Sequence, residues 1–286
     1  MTSDAETRAA TWLAAWDGQG THRTGTPGDA AGAEWLAREA TALGAGVAIE
    51  EFTFDRLTPA LVMLEIGGER IPAVPVFDAP SSELQGIEGR LGVDIAVAEL
   101  SPRAVYSGEF QRLRRAGGHL ALVIVCRGEA PGLGLINAED FRNPYGAPAI
   151  HVSSEAREAV LAGVRDGAPA RLVSHSRRAT AQAANIVVTL KGKDRAKPPF
   201  VVMTPRSSWW QSTAERGGGL VCWLETARAL LAASPACDVI LTANSGHELN
   251  HLGRDDCVAR RPGWDKPGGA TWVHYGAPIS ARREVG

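Results

Sequence analysis

The sequence is poor in cysteine, and the four it has, Cys126, Cys222, Cys237 and Cys257, are widely spaced and form no CxxC pair. That excludes a zinc ribbon and gives no disulfide framework. No apolar run approaches the roughly 18 residues that a bilayer-spanning helix needs. The opening Met1-Thr2-Ser3-Asp4-Ala5-Glu6 lacks a basic stretch followed by an apolar one, so no secretory signal is expected. An excess of one charge is missing too. The formal net charge of −2 gives no basis for binding nucleic acid or an anionic membrane. Repeats and low-complexity segments are absent. These absences leave a reduced, cytoplasmic globular protein as the expectation, and 286 residues suit one large domain or two modest ones.

What is present alternates between helical and extended patterns. Residues 5–16 carry Ala9, Trp12, Leu13 and Trp16 at helical spacing, and Gly18 and Gly20 end the run. The turn-rich link Arg23-Thr24-Gly25-Thr26-Pro27-Gly28 precedes a second amphipathic helix over 29–43, which Gly44 stops. Residues 47–54 alternate like a strand. From about residue 55, short strand-like runs at 61–66, 71–76, 92–97, 120–125, 149–152 and 170–174 are separated by turns, with helical stretches near 108–116 and 154–166. Gly67-Gly68 predicts a hairpin. The strand-rich segment reads as an insertion. The expected division is 1–54 plus 183–286 for an α/β domain and 55–182 for the insert.

Residues 200–253 hold most of the chemistry. An apolar strand, Phe200-Val201-Val202-Met203, leads into a polar, aromatic loop, then three glycines, a helix over 220–233, a strand over 238–243 and a second polar loop. Strand, helix and strand in this order predict a parallel sheet, with ligands bound outside the carboxyl ends of its strands. His247-Glu248-Leu249-Asn250-His251 satisfies H-E-x-x-H. On a helix its two imidazoles share one face and can reach one zinc, with Glu248 as general base. Gly246 and Gly253 leave room for only about two helical turns. Arg206, Glu215 and Arg216 form a charged cluster around Trp209 and Trp210. The guanidinium groups suit a substrate carboxylate and the indoles a pocket wall, or else Arg206 pairs with Glu215 and the indoles pack inside. Gly217 to Gly219 fit either a phosphate-cradling turn or close helix–sheet packing. Ser207 and Ser208 are nucleophile candidates only with His247 or His251 in reach, and His274 lies on the last strand pattern, at 270–275.

The order of parts resembles the M28 family of zinc aminopeptidases, in the form with an inserted protease-associated (PA) domain. The likeness rests on Arg23 to Gly28 with the helix after it, on Gly86-Ile87-Glu88-Gly89-Arg90-Leu91, Gly117-Gly118-His119-Leu120 and Ala147-Pro148-Ala149-Ile150-His151-Val152-Ser153 in the insert, and on the re-entry strand Asn185-Ile186-Val187-Val188-Thr189-Leu190. It implies an α/β fold with a mainly parallel sheet flanked by helices, zinc-peptidase-like, with a β-rich PA-like insert. It also implies zinc and a small-molecule or peptide-like substrate. The first family His falls on Arg206, the bridging Asp on Glu215, the Glu-Glu pair on His247-Glu248 and the next acidic ligand near Gly276. The last family His belongs to a C-terminal segment to which the sequence does not extend.

By this alignment His247 is the base and Glu248 a ligand, the reverse of the H-E-x-x-H reading, and both readings stay open. The expected metal ligands are Glu215, Glu248 and His251, with Arg206, Trp209, Trp210 and Arg216 holding substrate. The first functional expectation is an M28-like hydrolase cutting an amide or related bond of a small substrate, with one metal ion. The others are a non-catalytic homologue serving as a binding or assembly module, and a metal-free enzyme using His247 with the Arg206/Glu215/Arg216 cluster. A homo-oligomer is left open.

Overall fold

The structure, a computed structural model, describes residues 3–128 and 131–276. Helix α1 (Asp4–Asp17) starts at a capping box in which Ser3 and Glu6 satisfy each other's backbone amides. Helix α2 (Pro27–Ala42) starts from Thr26 as N-cap with Pro27 in its first turn. Strand β1 (Val47–Ile66) follows, then β2 (Glu69–Pro75), β3 (Ile87–Arg90), β4 (Ile95–Leu100), α3 (Ala104–Ser107), α4 (Glu109–Arg115), β5 (Ala121–Cys126), β6 (Ala149–Val152), α5 (Arg157–Asp166) and β7 (Pro169–Leu190). The chain closes with β8 (Phe200–Pro205), α6 (Gly218–Leu231), β9 (Val239–Asn244), α7 (Leu252–Ala259) and β10 (Thr271–His274).

The chain divides into two compact units, Met1–Phe54 with Ala181–Gly286, and Asp55–Thr180. Strands β1 and β7 each contribute residues to both. The sequence pattern splits each of them in two. Between Ala170 and Leu190, however, no glycine or proline interrupts β7, so nothing in the chain ends it.

In the first unit the sheet order is β10-β8-β9-β7-β1. Strands β10, β8 and β9 are parallel, whereas β7 runs antiparallel to β9. The sheet is therefore mixed, not mainly parallel as expected. The reason is the short link at 191–199, because a parallel return needs a crossover of a dozen or more residues. Crossovers of that length join β8 to β9, through α6, and β9 to β10, through α7. Trp12, Trp16, Trp35, Leu36, Trp223 and Leu224 bury against Ile186, Val188, Val202 and Leu241, so helices cover the sheet with aromatic side chains.

In the second unit β4, β5 and β6 are parallel, β2 pairs antiparallel with β6, and β1 pairs with β2 through the hairpin at Gly67-Gly68. Leu91, Ile95, Val123, Ile150, Val160 and Leu172 form its core. No described helix is long and apolar enough to cross a membrane.

Candidate functional site

The parallel strands β8, β9 and β10 end at Pro205, Asn244 and His274, so the loops at 206–217 and 245–251 leave one edge of the first unit's sheet together. That is where ligands are expected in an α/β sheet.

The 206–212 loop is tied to the N-terminal region. His22 stacks on Trp16 with ring centroids 3.5 Å apart. Its backbone amide donates to Trp210 O at 3.1 Å, and its carbonyl accepts from Ser208 N at 3.2 Å. The Trp209 side chain is buried, whereas Trp210 is 44% exposed, so only Trp210 presents its ring to solvent. A π-helical turn, Thr213–Gly217, then brings Glu215 and Arg216 into place. Gly219, in the first turn of α6, lies so close to the sheet that an added Cβ would be 2.6 Å from Thr204 Oγ1. Close helix–strand packing thus accounts for this glycine, and the phosphate-cradle reading gains nothing from it.

The H-E-x-x-H segment is not helical. Residues 247–250 form a turn, Asn250 and His251 both have φ near 60°, and α7 begins only at Leu252. Gly246, also left-handed at φ +86, and an asparagine that tolerates that conformation explain why a turn wins over a helix here. The two imidazoles do meet, edge to face with centroids 4.7 Å apart, but not as successive ligands on one helical face.

Glu248 is fully buried. Its Oε1 accepts from the Thr24 amide and hydroxyl, both at 2.7 Å, and its Oε2 accepts from the Ser207 hydroxyl at 2.7 Å. Burial pushes the Glu248 carboxyl above the usual range, and these donors oppose the shift. Ser207 Oγ in turn accepts from the amides of Gly246 at 2.7 Å and His247 at 3.2 Å. Its proton is aimed at Glu248, so neither His247 nor His251 is the base that a Ser207 nucleophile was expected to need. Ser208 donates to Trp210 O instead.

Arg206 is equally committed. Its Nη1 lies 2.9 Å from Asp29 Oδ1 and 2.7 Å from Asp29 O, and its Nη2 donates to Ala184 O at 2.6 Å. Both partners are buried. Arg206 pairs with Asp29, not with Glu215 as one reading had it. Asp29 also receives the Ser245 hydroxyl at 2.9 Å and the Gly25 amide at 2.9 Å. Thr24, Asp29, Ser245 and Asn185, whose Oδ1 accepts the Ser245 amide at 3.3 Å, are site residues that sequence reasoning missed. The signal for Asp29 was a carboxylate in the first turn of a helix whose N-cap, Thr26, was already supplied.

Arg216 links the two loops. Its Nε donates to Ser207 O at 2.7 Å, and its Nη2 lies 2.9 Å from Glu215 Oε1 and 2.8 Å from His247 Nδ1. A guanidinium has no lone pair to offer, so Nδ1 is the acceptor and the neutral ring carries its proton on Nε2. Burial, then the charge of Arg216, holds His247 down at about 2. His251 and His274 are also lowered, first by burial. Together with Arg254 these three histidines line a cleft of only about 10 Å³.

These residues do not fit a zinc ion. Both Glu248 oxygens already take donors, Glu215 is paired with Arg216, and Arg206 carries a fixed positive charge where the family resemblance sets a ligand. Glu215, Glu248 and His251, the expected ligands, are not gathered into a ligand set. Among the described residues no group of three or more His, Cys, Asp or Glu side chains could hold a metal.

No family model matches the sequence, and no curated protein matches it. Solved structures do match the fold. A peptidase M28 precursor from Shewanella amazonensis superposes with a TM-score of 0.73 at 14% identity, over 96% of this chain and 73% of that one. A zinc aminopeptidase from Bacillus subtilis gives a TM-score of 0.68 at 19% identity, over 88% of this chain and 64% of that one. An aminopeptidase from Aneurinibacillus sp. strain AM-1 gives 0.63 at 17% identity, over 90% and 66%. The chain thus spans about two thirds of the length of these two aminopeptidases, and the likeness is one of fold.

Proposed function

We propose that this chain is a peptidase-like fold whose metal position has been taken over by its own side chains, and that it serves as a binding or assembly module and not as a metallopeptidase. We read residues 55–180 as its PA-like insert. The observation that carries the proposal is Glu248. A carboxylate able to ligate a metal or accept a proton from substrate needs a free lone pair facing the cleft. Glu248 instead turns both oxygens inward onto Thr24 and Ser207. The Arg206–Asp29 pair puts a fixed, internally neutralised cation where the family likeness sets a His ligand.

A second reading, a metal-free hydrolase, draws on the neutral imidazole of His247. The proton on Nε2 makes that ring a hydrogen-bond donor toward the cleft, not a general base. Catalysis through it would be limited to steadying a developing negative charge.

The test is turnover of an aminoacyl p-nitroanilide panel by purified protein, with and without added zinc. The proposal expects no turnover above a His247→Ala control in either condition. Zinc-stimulated turnover abolished in Glu248→Ala would overturn it in favour of the metallohydrolase. Zinc-independent turnover abolished in His247→Ala would overturn it in favour of the metal-free enzyme.

A further inference from the structure

The second unit carries, within its own residues, a half-open pocket of about 530 Å³. Pockets for small ligands run from roughly 300 to 1,000 Å³. Its walls are largely apolar, made by Leu113, Leu122, Ala147 and the ring of Tyr145, and Arg115 and Asp140, of opposite charge, line it together with His119 and Arg114.

The back of the cavity is built. Arg114, with its side chain 1% exposed, pairs with Asp78 at 2.7 Å, donates to Tyr145 O at 2.7 Å and lies 3.7 Å over the Tyr145 ring. Asp78 also accepts the Glu139 and Asp140 amides at 2.7 and 3.0 Å, which fixes the loop that carries Asp140. Glu139 is taken by the Tyr145 hydroxyl at 2.5 Å. The Arg114 Nε has no acceptor among the described residues, so donors are in surplus on the arginine side.

Arg115 and Asp140 are the uncommitted charges. No carboxylate partner of Arg115 is found among the described residues, and its guanidinium carbon lies 5.2 Å from the Tyr145 ring. Asp140 uses Oδ1 for the Asn143 amide and side chain. The two line the same cavity without pairing to each other. Apolar walls with one unpaired cation and one unpaired anion match a ligand that carries both charges on an apolar body.

We infer that this cavity is a binding site for a small zwitterion with an apolar side chain, a free α-amino acid or the equivalent ends of a short peptide. The carboxylate lies against Arg115 and the ammonium against Asp140. The site stands on the second unit alone and does not depend on the reading of the first.

Isothermal titration of the full chain tests it, with L-leucine and L-phenylalanine as probes. Expected is saturable binding that falls at least tenfold in Arg115→Gln and in Asp140→Asn, the latter keeping the acceptor for Asn143. L-leucinamide, without the carboxylate, and N-acetyl-L-leucine, without the ammonium, should each lose at least tenfold. Tighter binding of Leu-Leu than of leucine would assign the site to peptides, and the reverse to free amino acids. No saturable binding of any probe, or binding that Arg115→Gln and Asp140→Asn leave unchanged, would overturn the inference. Equal binding of N-acetyl-L-leucine would overturn the zwitterion assignment.

Discussion

Arg216 holds His247 by its Nδ1, at 2.8 Å. This contact decides the tautomer of the imidazole, ties the loop after β8 to the loop after β9, and keeps the ring neutral. A cation thus sits beside a histidine that burial has already stripped of its own charge.

The pH dependence of stability follows from that neutrality. His247 is held at about 2 in the folded chain against an ordinary value of 6.5. A depressed folded value means that the unfolded chain binds the extra proton between those limits. The stabilising contribution is therefore complete above about pH 6.5 and is lost as the pH falls below it. Between pH 6.5 and 5 this amounts to at most about 2 kcal/mol. Glu248, whose carboxyl burial raises, has the opposite dependence. The informative quantity is thus the difference between parent and His247→Gln in urea unfolding at several pH values. The parent should lose stability faster than the variant below pH 6.5, and parallel curves would contradict the Arg216–His247 assignment.

Arg206 and Asp29 form a buried ion pair with matched hydrogen bonds. Removing one partner leaves an uncompensated charge in the interior, at a cost of about 3–5 kcal/mol. Arg206→Met should therefore be severely destabilised. Arg206→Met with Asp29→Asn should recover most of the loss, as measured by denaturant midpoints. A single variant as stable as the parent would show that Arg206 is not anchored as described.

Glu248→Ala strands the Thr24 amide, the Thr24 hydroxyl and the Ser207 hydroxyl without their acceptor. Leaving buried donors unsatisfied costs about 1–3 kcal/mol each before relaxation. A loss of roughly 2–4 kcal/mol is expected for Glu248→Ala, and a smaller one for Glu248→Gln, which keeps an acceptor. An unchanged unfolding midpoint in Glu248→Ala would assign the carboxylate a role outside this network.

The sequence made the helices at both ends of the first unit legible, because Trp12, Trp16, Leu36 and the apolar positions of α6 repeat at helical spacing. It also made the β8–α6–β9 crossover legible, and with it the edge where Arg206, Arg216, His247 and His251 emerge. The direction of β7 was not legible from apolar runs, since alternation does not encode orientation, although the short link at 191–199 did encode it. The H-E-x-x-H pattern misled because two imidazoles four residues apart share a face only on a helix, and Gly246 and Asn250 favour a turn. The partners of Glu248 and Arg206 come from Thr24 and Asp29, some 220 and 180 residues away in sequence. No local pattern links residues at that separation.

The most direct measurement is zinc stoichiometry of the purified chain by elemental mass spectrometry after incubation with zinc and gel filtration, beside Glu248→Ala and His247→Ala. The account predicts well below one zinc per chain, the same in parent and variants. About one zinc per chain in the parent, lost in Glu248→Ala, would contradict it and show that Glu248 leaves Thr24 and Ser207 to bind a metal.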